Sequence, residues 1–145
     1  MTSESSSTTK RSVVQIGDIY KIKATEENGI TPKGGLDYRY KYFIVMGKAS
    51  DGSIYGCAAF DSEVNRDYLE PGTEDFYIKV EAGRYPFLKK DSVIDCLKLK
   101  PATEIKLLSG KYRGKILTED YNRILSLVKM SPRHPFMYLK LLGLS

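Results

Sequence analysis

The sequence contains a single histidine, His134, two cysteines and no tryptophan. One histidine makes a Ser-His-Asp enzyme or a histidine-ligated metal enzyme hard to build, because catalytic zinc sites take three protein ligands. Cys57 and Cys96 are too few for a disulfide framework, so we expect free thiols in a reducing compartment. We expect no metal and no other cofactor.

Long apolar runs are also missing. No segment approaches the roughly 20 apolar residues that a membrane-spanning helix requires. Residues 1–10 are rich in Ser and Thr and lack the basic start and apolar core of a secretory signal peptide. We therefore expect a cytoplasmic protein that does not enter a membrane.

The chain has 145 residues, of which 41% are hydrophobic and 11% aromatic. This length and composition predict one domain with a sizeable core. Residues 1–75 contain 9 Lys/Arg and 12 Asp/Glu, a net charge of −3, whereas residues 76–145 contain 14 and 6, a net charge of +8. A basic second half is typical of a surface that faces a polyanion, and equally of a solvated lysine-rich surface.

We expect a disordered tail over residues 1–12 and one domain over residues 13–145. Alternating, β-branched segments predict short strands at residues 13–23, 38–46, 53–60, 76–80, 85–88 and 92–99. Gly17 predicts a bend in the first strand, Asp51-Gly52 a hairpin turn, and residues 25–36 a long loop. Pro101 is expected to stop the last strand.

Helical spacing appears only near the end of the chain. Thr118 is the expected N-cap, and Tyr121, Ile124, Leu125 and Val128 recur on one helical face. A second, shorter helix is predicted after Ser131-Pro132, which gives a helical segment over residues 118–142. Short strands followed by helices predict a mainly β fold, a small curved antiparallel barrel closed or covered by the C-terminal helix.

Several short motifs, in their order and spacing, resemble the MazF/PemK-like toxins. They are GDIY at residues 17–20, KYFIVM at residues 41–46, GCAAF at residues 56–60, KDSVI at residues 90–94 and LGL at residues 142–144. The resemblance implies an SH3-like barrel that forms a homodimer. It also implies a metal-independent, sequence-specific endoribonuclease, neutralised by an antitoxin protein, in which the 2′-hydroxyl of single-stranded RNA attacks the adjacent phosphate to give a cyclic phosphate.

The resemblance also indicates catalytic residues. The family places an Arg before its second strand and a Ser or Thr after its third. Here the Arg position aligns with Tyr40, flanked by Arg39 and Lys41, and the hydroxyl position aligns with Ser62. A one-residue slip turns a side chain to the opposite face of a sheet, so Arg39 or Lys41 replaces the family Arg only through a bulge.

Two segments interleave basic and aromatic residues, a pattern that suits single-stranded nucleic acid. The first contains Arg84, Tyr85, Lys89 and Lys90, and the second contains Lys111 and Arg113. Tyr40 is a further candidate for stacking on a base. The alternative for these residues is structural: a solvated loop, a turn before the helix, and half-buried packing of the tyrosine.

Three functions stay open at this point. The first is a MazF/PemK-like endoribonuclease with Arg39, Lys41 and Ser62 in the active site. The second is a catalytically inactive barrel of the same family that binds nucleic acid or a protein partner, which Tyr40 at the Arg position favours. The third is an interaction module that uses the loop at residues 25–36.

Overall fold

A computed structural model describes residues 13–24, 39–61 and 72–133. The strands in these ranges are β1 (Asp18–Ala24), β2 (Arg39–Lys48), β3 (Ile54–Asp61), β4 (Tyr77–Val80), β5 (Ser92–Asp95), β6 (Lys100–Ala102) and β7 (Lys111–Lys115). The helices are α1 (Glu104–Leu108) and α2 (Thr118–Met130), and a 3-10 turn (Glu74–Phe76) precedes β4. Neither of these two helices is long and apolar enough to cross a membrane.

The strands form one antiparallel sheet in the order β4-β5-β3-β2-β1-β7, and β6 pairs with the other half of β3. The predicted mainly β class with a C-terminal helix is therefore confirmed. The expected closure into a barrel is not observed, since β4 and β7 form the two edges of the described sheet.

The centre of the sheet agrees closely with the sequence pattern. The strand predicted at residues 38–46 is β2, and the hairpin turn at Asp51-Gly52 joins it to β3. Gly17 forms the predicted bend, with φ +91°, a conformation that L side chains rarely adopt. Its amide donates to the Val45 carbonyl at 2.8 Å, so β1 starts against β2 directly after the bend.

The main core contains buried side chains from both ends of the sheet. Val80 of β4 and Ile116, which follows β7, belong to one buried cluster with Ile44 of the central strand β2. The sheet is therefore curved around this core, and α2 covers it with the buried side chains of Ile124 and Val128. That helical face was predicted from the spacing of its apolar residues.

A second, smaller core covers the other face of the central strands. Tyr20 and Ile22 of β1, Phe43 of β2 and Leu107 of α1 are all buried there. Burial on both faces explains why β2 reads as a nearly continuous apolar run after its first residues.

The last predicted strand, residues 92–99, is wrong in its extent. β5 ends at Asp95, whose carboxylate accepts hydrogen bonds from the Leu97 amide (2.9 Å) and the Lys98 amide (3.3 Å). Desolvation by burial raises the pKa of Asp95. Pro101 was expected to end the last strand. It lies instead within β6, opposite Tyr55. A proline fits there because, within the described sheet, β6 pairs only with β3 and needs no amide on its other side.

Besides β6 and the 3-10 turn, two elements before Thr118 were not predicted. Helix α1 has five residues, too few to show helical periodicity, and its only local signal is Thr103, whose hydroxyl accepts from the Lys106 amide at 3.1 Å. Residues 111–115, expected as a turn, form β7 and pair with β1, about 90 positions earlier in the chain. A partner that distant leaves no local signal.

Two further local predictions are wrong. Residues 85–88 are not a strand but part of a tight loop, in which the Gly83 amide donates to the Leu88 carbonyl at 2.9 Å. Thr118 begins α2 and does not cap it, because Leu117 occupies the N-cap position. The predicted tail at residues 1–12, the loop at residues 25–36 and the helix expected up to residue 142 lie outside the described residues, except for residues 131–133.

The carboxylate of Asp18 is fully buried where β1 begins. It accepts hydrogen bonds from the Gln15 amide (2.9 Å) and the Tyr20 hydroxyl (3.3 Å). The Lys115 ammonium at the end of β7 lies 3.1 Å from the same carboxylate and also donates to the Ile16 carbonyl. This one group therefore connects the entry turn, β1 and β7.

We expect Asp18→Ala to lower the free energy of unfolding by about 1–3 kcal/mol, because it leaves the buried Tyr20 hydroxyl and the Gln15 amide without this acceptor. Tyr20→Phe is the matched control. It removes one long hydrogen bond and should cost only about 0.5–1.5 kcal/mol. Urea denaturation followed by circular dichroism measures both, and equal stability of Asp18→Ala and the parent would contradict this role.

Cys57 and Cys96 are both fully buried and unpaired by a disulfide. A hydrogen bond with Cys96, together with burial, raises the pKa of the Cys57 thiol well above its usual range. A buried thiol that resists ionisation reacts slowly, since the thiolate is the nucleophile.

Ellman's reagent should therefore detect little or no reaction at Cys57 and Cys96 in the native protein, and two thiols after denaturation without reductant. Recovery of no thiol after denaturation would show a disulfide and overturn the expectation of a reducing compartment.

Candidate nucleic-acid interface

A groove of about 290 Å³ opens beside the N-terminal end of β2. Its lining combines four lysines with four aromatic rings: Lys21, Lys41, Lys89, Lys90, Tyr40, Tyr42, Phe60 and Phe87. We call this the lysine–aromatic groove. Among the described residues no Asp or Glu lines it, so the charged side chains in its described lining are all lysines.

The aromatic rings form a connected set that reaches into the core. The rings of Tyr42 and Phe87 lie 4.8 Å apart between centroids, and those of Tyr85 and Phe87 lie 5.7 Å apart. Tyr40 differs from them because it is 57% exposed, and the Lys21 ammonium lies 5.6 Å from the centre of its ring. An exposed ring in a cationic groove is a platform on which a base can stack.

A second concavity, of about 580 Å³, adjoins the groove on the side of β7. Its lysines are Lys21, Lys23, Lys106 and Lys111. We call it the lysine pocket. It shares Lys21 and Tyr40 with the groove, and no described Asp or Glu lines it. Among the described residues, seven lysines thus surround two adjoining concavities that share Tyr40.

Lys41 is 6% exposed, and its ammonium lies 4.6 Å from the centre of the Phe60 ring. The Phe60 ring comes from the neighbouring strand β3. Lys41 alternates with Tyr40 and Tyr42 along a part of β2 that pairs with β1 without a bulge, so its side chain lies on the opposite face of the sheet from those two rings. The backbone of Arg39 starts β2, but its side chain is outside the described structure, and so is the whole of Ser62. Of the three predicted catalytic residues, the structure thus places only the Lys41 side chain.

The loop at residues 81–91 places Lys89 and Lys90 on the groove. The Leu88 amide donates to the Tyr85 carbonyl at 2.9 Å, and the Ala82 amide donates to the Asp91 carboxylate at 2.9 Å, which closes the base of the loop. Lys89 and Lys90 are both exposed immediately before β5.

Arg84 and Tyr85, predicted to bind nucleic acid, instead fasten this loop to the start of α2. Arg84 donates two hydrogen bonds of 2.8 Å to the Asp120 carboxylate. The buried Tyr85 hydroxyl donates to the same carboxylate and accepts from the Leu117 amide at 3.0 Å. Neither residue lines the groove or the lysine pocket.

We call the contacts of Arg84 and Tyr85 with Asp120 the Asp120 clamp. The clamp shifts the pKa of all three side chains. The hydrogen bonds from Arg84 are the main reason that the pKa of Asp120 is lowered, and the same pair raises the pKa of Arg84. Burial, with the hydrogen bond to Asp120, raises the pKa of the Tyr85 phenol. Asp120 also lies in the first turn of α2, where the helix dipole favours an anion.

The two predicted residues of β7 lie in different environments. Lys111 is exposed and lines the lysine pocket, opposite Lys21 of β1. Arg113 lies at the irregularity where the register between β1 and β7 shifts. Its Nε is buried with no hydrogen-bond partner among the described residues, and it lines neither concavity.

Sequence reasoning missed Lys21, Lys23 and Lys106. The first two could have been found from the sequence. They alternate with the buried Tyr20 and Ile22 along β1 and therefore share its other face. Lys106 had no such signal, since its position depends on α1.

No protein-family model matches this sequence, and no curated protein matches it significantly. Within the ranges that the structure describes, no three His, Cys, Asp or Glu side chains are grouped to hold a metal ion. The described residues of the interface place several ammonium groups and an exposed phenol ring around the groove.

The Asp120 clamp predicts a specific response to acid. A lowered pKa in the folded state stabilises the fold above the unfolded Asp value near 4, and this contribution is lost as the pH falls through the lowered value. We therefore expect Asp120→Asn to be less stable than the parent at pH 5–7, with the difference shrinking below about pH 4. Urea titrations at several pH values measure this, and a difference that is constant down to pH 2 would contradict it.

Proposed function

We propose that the protein is a MazF/PemK-like endoribonuclease that binds single-stranded RNA in the lysine–aromatic groove. The observation that supports the proposal best is the composition of that groove: four lysines, no carboxylate among its described residues, and the exposed Tyr40 ring. Phosphates pair with the ammonium groups while unpaired bases stack on the ring.

The resemblance of the sequence motifs supplies the reaction. The 2′-hydroxyl oxygen forms a bond to the adjacent phosphorus, the bond from phosphorus to the 5′ oxygen breaks, and the proton passes to that leaving oxygen. The products are a 2′,3′-cyclic phosphate and a 5′-hydroxyl. Such a reaction needs no protein nucleophile, so the main requirement is a cation that stabilises the extra negative charge on phosphorus.

Of the proposed catalytic residues, Lys41 is the one whose side chain the structure describes. It is among the residues that line the groove, but it is largely buried and its ammonium lies over the Phe60 ring. The proposed reaction therefore requires this ammonium to leave the Phe60 ring and reach the phosphate. Arg39 and Ser62 complete the proposed catalytic set on the strength of the resemblance. The same resemblance supports a cytoplasmic homodimer that an antitoxin protein neutralises.

We expect Lys41→Met, which keeps the aliphatic stem, to reduce RNA cleavage by about 10²–10³-fold and to change RNA affinity much less. Lys79→Met is the matched control, because Lys79 is exposed on β4 and lines neither concavity. The assay follows a labelled RNA oligonucleotide in the presence of EDTA. The same oligonucleotide with 2′-deoxyribose should bind and stay intact.

Two observations favour a second function, a catalytically inactive protein of this β-sheet fold that only binds RNA. Tyr40 occupies the position of the family Arg, and Lys41 faces the Phe60 ring. If the parent binds RNA but leaves it intact, while Tyr40→Arg gains cleavage, this second function is correct. Failure of the parent to bind RNA at low salt would contradict both of these functions and favour the third one, a module that binds a protein partner.

A further inference from the structure

We propose that the lysine pocket is a distal subsite for the same RNA strand, which crosses the sheet from Lys89 and Lys90 over the Tyr40 ring to Lys106 and Lys111. This inference rests on the proposed function and adds to it a path and a length for the strand. The ligand of the pocket is the phosphodiester backbone at least one nucleotide away from the phosphate beside Lys41.

The register of the central strands makes the two concavities continuous. Lys21 in β1 lies opposite Tyr42 in β2 and opposite Lys111 in β7, and Lys23 lies opposite Tyr40. Lys111, Lys21 and Tyr42 thus form one row across three adjacent strands, and Lys23 and Tyr40 form the next row on the same face of the sheet. An extended polyanion laid across these two rows passes the Tyr40 ring and the three lysines that line the same concavity, Lys21, Lys23 and Lys111.

The pocket is built by a close backbone contact. A Cβ on Gly110 would lie 2.4 Å from the Lys21 carbonyl oxygen, so only glycine lets the end of α1 approach β1 this closely. The Ser109 hydroxyl donates to the Lys106 carbonyl at 2.8 Å, and the Gly110 amide donates to the Leu107 carbonyl at 3.0 Å. These bonds hold Lys106 on α1 and Lys111 on β7 around the Lys21 side chain.

The distance across these strands sets the length of RNA that the surface can hold. From β7 to β5 the path crosses β1, β2 and β3, which is four spacings of about 4.8 Å, or about 19 Å. Such a span suits about four nucleotides, the short end of the range for single-strand grooves. A dinucleotide bound beside Lys41 does not reach Lys106 or Lys111, whereas a hexanucleotide does.

The test compares two charge-matched double variants with labelled oligonucleotides of two lengths, both with 2′-deoxyribose so that the proposed reaction cannot cleave them. Lys106→Gln/Lys111→Gln removes two charges from the lysine pocket. Lys79→Gln/Lys129→Gln removes two exposed charges outside both concavities. Fluorescence anisotropy gives affinities for a dinucleotide and a hexanucleotide over a range of salt, and circular dichroism checks that each variant is folded.

We expect the pocket variant to bind the hexanucleotide about tenfold more weakly than the parent at low salt. Its salt slope should fall by about 1.4, which is roughly 0.7 for each of two phosphates of a single strand. Its affinity for the dinucleotide should stay at the parent value, and the control variant should show no difference between the two lengths.

Two results would overturn the subsite while leaving the proposed function intact. In the first, the pocket variant binds the hexanucleotide as the control variant does. In the second, it loses the same factor for both lengths, which would indicate a general charge effect. Absence of hexanucleotide binding by the parent would instead overturn the proposed function and the subsite with it.

Discussion

The arrangement of the sheet depends on a buried carboxylate at the start of β1. Asp18 holds the entry turn and Lys115 of β7 at once, so β1 is fixed between β2 and β7. A strand shifted by one residue would turn every side chain to the other face. In the observed register Tyr20 and Ile22 fill the smaller core, and Lys21 and Lys23 line the basic concavities. The buried carboxylate and the basic surface are thus consequences of one register.

The basic surface has a rigid support on each side. On the side of β5, the Asp120 clamp ties the loop that carries Lys89 and Lys90 to α2, and α2 is anchored in the main core. On the side of β7, the contact between Gly110 and the backbone of β1 fixes the end of α1. Lysine side chains lose rotameric freedom when they pair with a phosphate. Because the backbone beneath them is already fixed, binding causes little further loss of conformational entropy.

Much of the fold could be predicted from short patterns. Alternation located β2 and β3, the Asp51-Gly52 pair located the turn between them, and helical spacing located the buried face of α2. The predictions were wrong where tertiary contacts outweigh local preference. The proline of β6 is tolerated because that strand pairs only with β3 within the described sheet, α1 is too short to show a period, and β7 is a strand because β1 provides an edge.

The residues of the candidate site were likewise predicted only in part from local sequence patterns. The sequence by itself determined a mainly β domain with a basic second half, and it singled out Tyr40, Lys41, Lys89, Lys90 and Lys111, because charge and alternation are local properties. Only the tertiary structure decided that these residues meet, that Lys21, Lys23 and Lys106 join them, and that Arg84 and Tyr85 instead hold Asp120. The physical reason is that strand pairing and side-chain clamps join residues far apart in the chain, and their partners are chosen by the packing of the whole sheet.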